Sequence, residues 1–188
     1  MKKIVFLPFC LAILCLLVSC GGNSTKDKLV GNWKFSNNIW DAESEATIIF
    51  SGVINLQADG TYTIKSDGET SIIFKGVDAD FTPTVHLSYE EAGIWDVNDN
   101  ELILSPKRSG RLLGFTDVYV VGKDDLQVYE FTDNEKKKTV QGWALGCFVN
   151  FINENVRNER ILTAGQDKFA TNSSLGISQH NVLYERVN

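Results

Sequence analysis

Between Ala46 and Gln57 the chain alternates with a period of two. Ala46, Ile48, Phe50, Gly52, Ile54 and Leu56 share one face, while Ser51, Asn55 and Gln57 fall on the other. Only an extended strand with one buried side gives that spacing. Gly52, in the middle of the run, suits a bulge or a sharp bend, as a closing sheet needs. The rhythm returns in Thr61 to Ser66, with Tyr62 and Ile64 facing inward, and in Ser71 to Lys75. It returns again in Val85, Leu87 and Tyr89, which alternate with His86 and Ser88. Gly93 to Val97, Glu101 to Ser105, Phe115 to Val121, Leu126 to Phe131 and about Asn181 to Val187 complete the series, with Gly31 to Phe35 at its start. Turn residues separate the runs: Ala58-Asp59-Gly60, Ser66-Asp67-Gly68, Asn98-Asp99-Asn100 and Gly122-Lys123-Asp124-Asp125. About nine or ten short-linked strands make an up-and-down antiparallel sheet, and closure into a β-barrel removes its edges.

One segment departs from this pattern. From Val140 to Val156 the apolar residues fall at 140, 143, 144, 147, 148, 151, 152 and 156, the spacing of a helix with one buried face. Gly142 and Gly146 cost that helix about 1 kcal/mol each against alanine, and their spacing suggests close approach to the barrel wall. Residues 163–180 are polar and irregular, and read as a long loop.

The first residues carry an address. Lys2 and Lys3 precede an apolar run from Ile4 to Val18, broken only by Pro8. Spanning a bilayer takes about 20 residues, so this run has the length of a signal-peptide core instead. It ends Leu17-Val18-Ser19-Cys20, which resembles the lipobox of bacterial lipoproteins. The resemblance implies that residues 1–19 are removed, that the Cys20 thiol receives a diacylglyceryl group, and that the new α-amine is acylated. Two or more acyl chains anchor a protein durably where one does so only marginally. Residues 20–28 then form a polar tether, and residues 29–188 one barrel domain. No acidic run follows Cys20, so the expected place is the periplasmic face of an outer membrane, with the cell surface as the alternative.

The chain has 18 basic and 24 acidic side chains, and losing Lys2 and Lys3 makes the body more acidic still. Phosphate backbones repel such a body, which argues against nucleic acid as a partner. The run Lys136-Lys137-Lys138, beside Glu135 and Asp133, reads as a solvated loop. Of the four cysteines only Cys147 lies beyond the leader and its cleavage point. It sits among apolar residues without a nearby histidine, so it reads as a core thiol.

Leu29-Val30-Gly31-Asn32-Trp33 resembles the G-x-W signature that opens the first strand of lipocalins. Phe115-Thr116-Asp117-Val118-Tyr119 is similar to that family's second T-D-Y-like motif, and Arg186 to the late arginine that packs on the signature tryptophan. The rhythm of these motifs with Leu56–Tyr62 and Gly93–Val97 is similar to small lipocalin-like lipoproteins of Bacteroides-type bacteria. The chain departs from the family in an imperfect T-D-Y motif, a helix placed before the last strand, and the lack of a disulfide to the tail. The resemblance implies Trp33 at the closed end of a barrel, with Arg186 over its indole and Gly31 beside it, as a structural signature.

Catalytic chemistry finds little footing. His86 and His180 accompany no nucleophile motif, and no Cys/His spacing suits a metal. Asp78-Ala79-Asp80 lacks the later glycine and glutamate of a calcium loop. Glu90 and Glu91 are neighbours on a strand and point to opposite faces. The expectation is therefore a non-enzymatic protein with no cofactor. Phe50, Ile54, Tyr62, Ile64, Leu87, Tyr89 and Trp95, with Val85 and Val97, are the candidate lining of a cavity for a small apolar or amphipathic ligand, and Trp40 is a candidate lid in the loop after the first strand. The same residues would also make a filled core. In that case the barrel would act through its loops, as a module that binds or inhibits an envelope protein.

Overall fold

The computed structural model describes residues 24–41, 45–75, 81–152, 157–173 and 180–187. The leader, Cys20 and the Asp78-Ala79-Asp80 turn lie outside the described residues. The second half of the expected flexible tether is instead a short helix α1 (Thr25–Leu29), capped by Ser24, which leads into β1 (Gly31–Asp41), β2 (Ala46–Leu56), β3 (Thr61–Phe74), β4 (Phe81–Asn98) and β5 (Glu101–Gly122). After β6 (Val128–Glu130) comes helix α2 (Asn134–Ile152), then β7 (Arg157–Ala164), β8 (Lys168–Ser173) and β9 (His180–Arg186). Leaving aside β6, which pairs only with β5, each strand is antiparallel to two neighbours in the order β1-β2-β3-β4-β5-β7-β8-β9 and back to β1, so eight strands close a barrel. The seam is β1 on β9, with Trp33 opposite Arg186 and Phe35 opposite Tyr184.

The local chemistry explains the turns. Asp99 and Asn100 take positive φ, 46° and 68°, in the two-residue link between β4 and β5. Their short polar side chains tolerate that region, and the link's twist matches its strands. Gly52 lies where the β2–β3 register shifts, and a Cβ there would press on the Lys65 carbonyl. That close crossing lets the sheet bend.

Several strands are longer than the sequence suggests. Thr61–Ser66 and Ser71–Lys75 belong to one strand, because Ser66-Asp67-Gly68 is absorbed by an irregularity in the β3–β4 ladder and not by a turn. Residues 85–89 and 93–97 likewise join as β4, and 101–105 and 115–121 as β5. The expected loop at 163–180 is corrected in part, since Lys168–Ser173 is a barrel strand with Phe169, Thr171 and Ser173 inward. Helix α2 begins six residues before Val140. Asp133 accepts the backbone N–H groups of Glu135 and Lys136, capping the first turn. The Lys136–Lys138 run is therefore helical and not a loop.

The two ends of the barrel differ. At the end where the chain enters, Trp33 is fully buried, donates its indole N–H to the Leu29 carbonyl (2.7 Å), and meets Phe169 edge-on. Arg186 Cζ stands 4.2 Å from the Trp33 ring centroid, and the guanidinium also donates to the Val30 and Lys28 carbonyls. Gly31 is required there by its φ of 144° and by the Arg186 side chain that packs against it. At the other end α2 lays Val140, Ala144, Cys147 and Phe148 onto the barrel. Phe148 is fully buried and stands edge-on to Phe50 and Tyr89, with centroids 5.8 and 5.4 Å away.

Candidate functional site

Midway between the two ends, the inward positions of β3, β4 and β7 carry polar groups where a barrel of this size would ordinarily carry aliphatic ones. Glu91 and Arg157 are 2% exposed and form a direct ion pair through Arg157 Nη2. The Tyr62 and Tyr89 hydroxyls donate to the same carboxylate at 2.8 and 2.6 Å. A second buried carboxylate, Glu159, accepts from Thr171 (2.6 Å) and Tyr184 (2.9 Å). The arrangement follows from strand alternation: Arg157, Glu159 and Ile161 share the inner face of β7, while Asn158 and Arg160 face out.

The electrostatics are those of a dry ionic layer. Burial works against the Arg157 charge, but Glu91 above all, with Tyr62, Tyr89 and Glu159, holds the guanidinium above its ordinary range. Burial pushes the Tyr62 phenol well above the usual tyrosine range; Arg157 pulls it back and Glu91 adds to the rise. Tyr184 rises by burial first and by Glu159 next. Arg157 Nε, also buried, has no hydrogen-bond partner among the described residues.

Beside this layer lies a small void. Space open to the centre of a water molecule amounts to about 10 Å³, or about one water's worth. Arg157, Glu159, Tyr184 and Asn37 give its wall a polar side. Phe35, Phe50, Ile54, Ile64, Leu104 and Val182 give the apolar side.

Of the residues expected to line a cavity, Phe50, Ile54 and Ile64 do so. Tyr62 and Tyr89 are buried in the ionic layer, and Leu87 and Val85, two apart on β4, are wholly buried in the core. Trp95 is a correction: it donates its indole N–H to Gln57 (2.8 Å) and faces Lys26 of α1, so it belongs to the closed end. Trp40 is another. It lies within β1 and not in a loop, it is 49% exposed, and Lys75 stands 5.5 Å from its ring centroid. Residue 40 alternates outward from Ile39, which is why it cannot close the mouth from within.

Gly142 and Gly146 are also corrected. A Cβ at either would meet nothing within 4 Å, so neither glycine serves close approach. Glu90 and Glu91 do face opposite ways, Glu90 outward to Lys65 at 3.3 Å and Glu91 inward. Sequence reasoning missed Arg157, Glu159 and Tyr184. Their signal was the alternation 157-159-161 and 182-184, hidden because two of the inward residues are charged.

His86 is partly buried with its Nε2 2.9 Å from the Tyr119 hydroxyl, away from the interior layer. Among the described residues no helix is long and apolar enough to cross a membrane, and no cluster of His, Cys, Asp or Glu has the makings of a metal site. The chain matches no family model, and no curated protein is significantly similar to it.

Proposed function

We propose that this protein is a lipocalin-like lipoprotein of the bacterial envelope, held to the membrane through acyl chains on Cys20, that binds a small amphipathic molecule inside its barrel. The observation that carries the binding reading is the buried layer of Arg157, Glu91 and Glu159 beside a void that Arg157 helps to line, its Nε without a partner among the described residues. A barrel whose interior served stability alone would gain from apolar residues there, since well-packed hydrophobic replacements of buried ion pairs are often neutral or stabilising. Convergent polar groups in a mostly apolar hollow are what orient a ligand. The void holds about one water as it stands, so a ligand enters only if part of the filling withdraws. The lipobox resemblance supports the anchor, and the absence of an acidic run after Cys20 supports the periplasmic face of the outer membrane.

A second reading has its own observation. The void beside the ionic layer is small, and the helix-covered end exposes Trp143 (46%), which packs on Phe74. Such aromatics suit contact with an envelope protein. The experiment is native mass spectrometry of the full chain extracted from its own envelope in mild detergent. The expected result is a mass that includes lipid on Cys20 plus a retained small molecule. A co-purifying protein in place of the small molecule favours the second reading. An unmodified Cys20 contradicts the anchor.

A further inference from the structure

Helix α2 is an unusual cover for a barrel. It contains Gly142 and Gly146, which weaken a helix and which no packing requires, since the space around both is open. Among the described residues its buried row is Val140, Ala144, Cys147 and Phe148, of which Phe148 is the largest, with half-exposed Trp143 against Phe74. Phe148 sits against Phe50 and Tyr89. Phe50 also lines the void, and Tyr89 is bonded to the Glu91 that pairs with Arg157. The seat of Phe148 therefore adjoins the void through Phe50 and the ionic layer through Tyr89.

Building on the ligand-binding reading above, we propose that Phe148 is an internal stand-in for the ligand: α2 withdraws, and an aryl or branched aliphatic group takes its place between Phe50 and Tyr89. The polar end of that ligand is a neutral hydrogen-bond acceptor, a hydroxyl or carbonyl, that meets Arg157 Nε. An anionic head is disfavoured because, among the described residues, the layer holds two carboxylates, Glu91 and Glu159, against one guanidinium. A third negative charge would enter a low-dielectric space with that surplus in place. The unpartnered Nε still favours an acceptor, since a buried donor left unmade is costly. Ligand affinity is set by competition with the protein's own helix, and a state with α2 withdrawn pays for itself only when the seat is refilled.

The test uses the full chain in detergent and a matched pair of probes, 3-phenylpropan-1-ol and 3-phenylpropanoate, with affinities from ligand-observed NMR. Phe148→Ala should bind the alcohol at least tenfold more tightly than the unaltered chain, because an apolar cavity of phenyl size stays open to such molecules. The double variant Gly142→Ala/Gly146→Ala, which strengthens α2 without touching the seat, should bind it several-fold more weakly than the unaltered chain. The carboxylate should gain less than the alcohol from Phe148→Ala. A folded Phe148→Ala with no gain for the alcohol overturns the proposal, and an equal or larger gain for the carboxylate overturns the neutral head. Should Phe148→Ala fail to fold, Phe148→Leu gives the same comparison with a gain of about threefold expected, and no gain there is equally contrary. A natural molecule retained by the extracted protein alongside a failed Phe148 test would leave the binding reading standing and remove this inference alone.

Discussion

Single residues in this barrel divide into those that hold it and those that cost it. Trp33 belongs to the first kind. Its burial, its bond to Leu29 and the Arg186 guanidinium over its ring tie the entering chain to the last strand. A desolvated cation–π contact of this sort is worth about 2 kcal/mol. Trp33→Ala should lower stability by about 3–5 kcal/mol in denaturant unfolding, and a loss under 1 kcal/mol would mean that the closed end is not a stabilising plug. Glu91 and Arg157 belong to the second kind. Glu91→Ala removes the direct ion pair of the buried Arg157 guanidinium and should cost about 3–5 kcal/mol, whereas Glu91→Leu with Arg157→Met should restore most of that or exceed the starting stability. A double variant as unstable as the single one would show that the ionic layer stabilises the fold. The phenols give a pH counterpart. Tyr62 and Tyr184 have raised folded values, so the unfolded chain releases those protons first, near pH 10. Their contribution is complete below about pH 10 and is lost as pH rises toward the folded values. Ultraviolet titration should show both ionising only together with alkaline unfolding, and early ionisation of either in the folded protein would contradict their burial.

Elements show where sequence patterning informs and where it misleads. The alternation of Ala46–Leu56 and the Asp99-Asn100 turn were legible because one face is apolar and the turn residues are specialised. The length of β3, β4 and β5 was not, because irregular ladders let Ser66-Asp67-Gly68 and the segment near Arg111 stay in strand while looking like breaks. In β7 and β8 the inward row contains Arg157, Glu159, Thr171 and Ser173, so the usual equation of polar with outward reverses. Tertiary pairing decided those strands, as it commonly overrides local preference. The apolar stripe of α2 was legible from Val140 to Phe148, its expected end at 153–156 lies outside the described residues, and its first turn depends on the Asp133 cap. Gly142→Ala and Gly146→Ala should each stabilise α2 by about 1 kcal/mol, read as slower amide exchange in that helix. No change would mean that the helix is already as stable as the barrel that supports it.

For the whole molecule, eight closed strands make the frame and a weakly built helix closes one end. Lipid on Cys20 would set where that frame works. Cys20→Ala should move the protein from the membrane fraction to the soluble one, and retention at the membrane would point to another mode of attachment. The ligand-binding account turns on α2 opening independently of the barrel, and amide hydrogen exchange of the full chain in detergent measures this most directly. The account predicts that α2 exchanges well before the strands β1 to β4, and that 3-phenylpropan-1-ol changes exchange in α2 while those strands stay protected. Exchange of α2 only in step with global unfolding, with or without the alcohol, would contradict it.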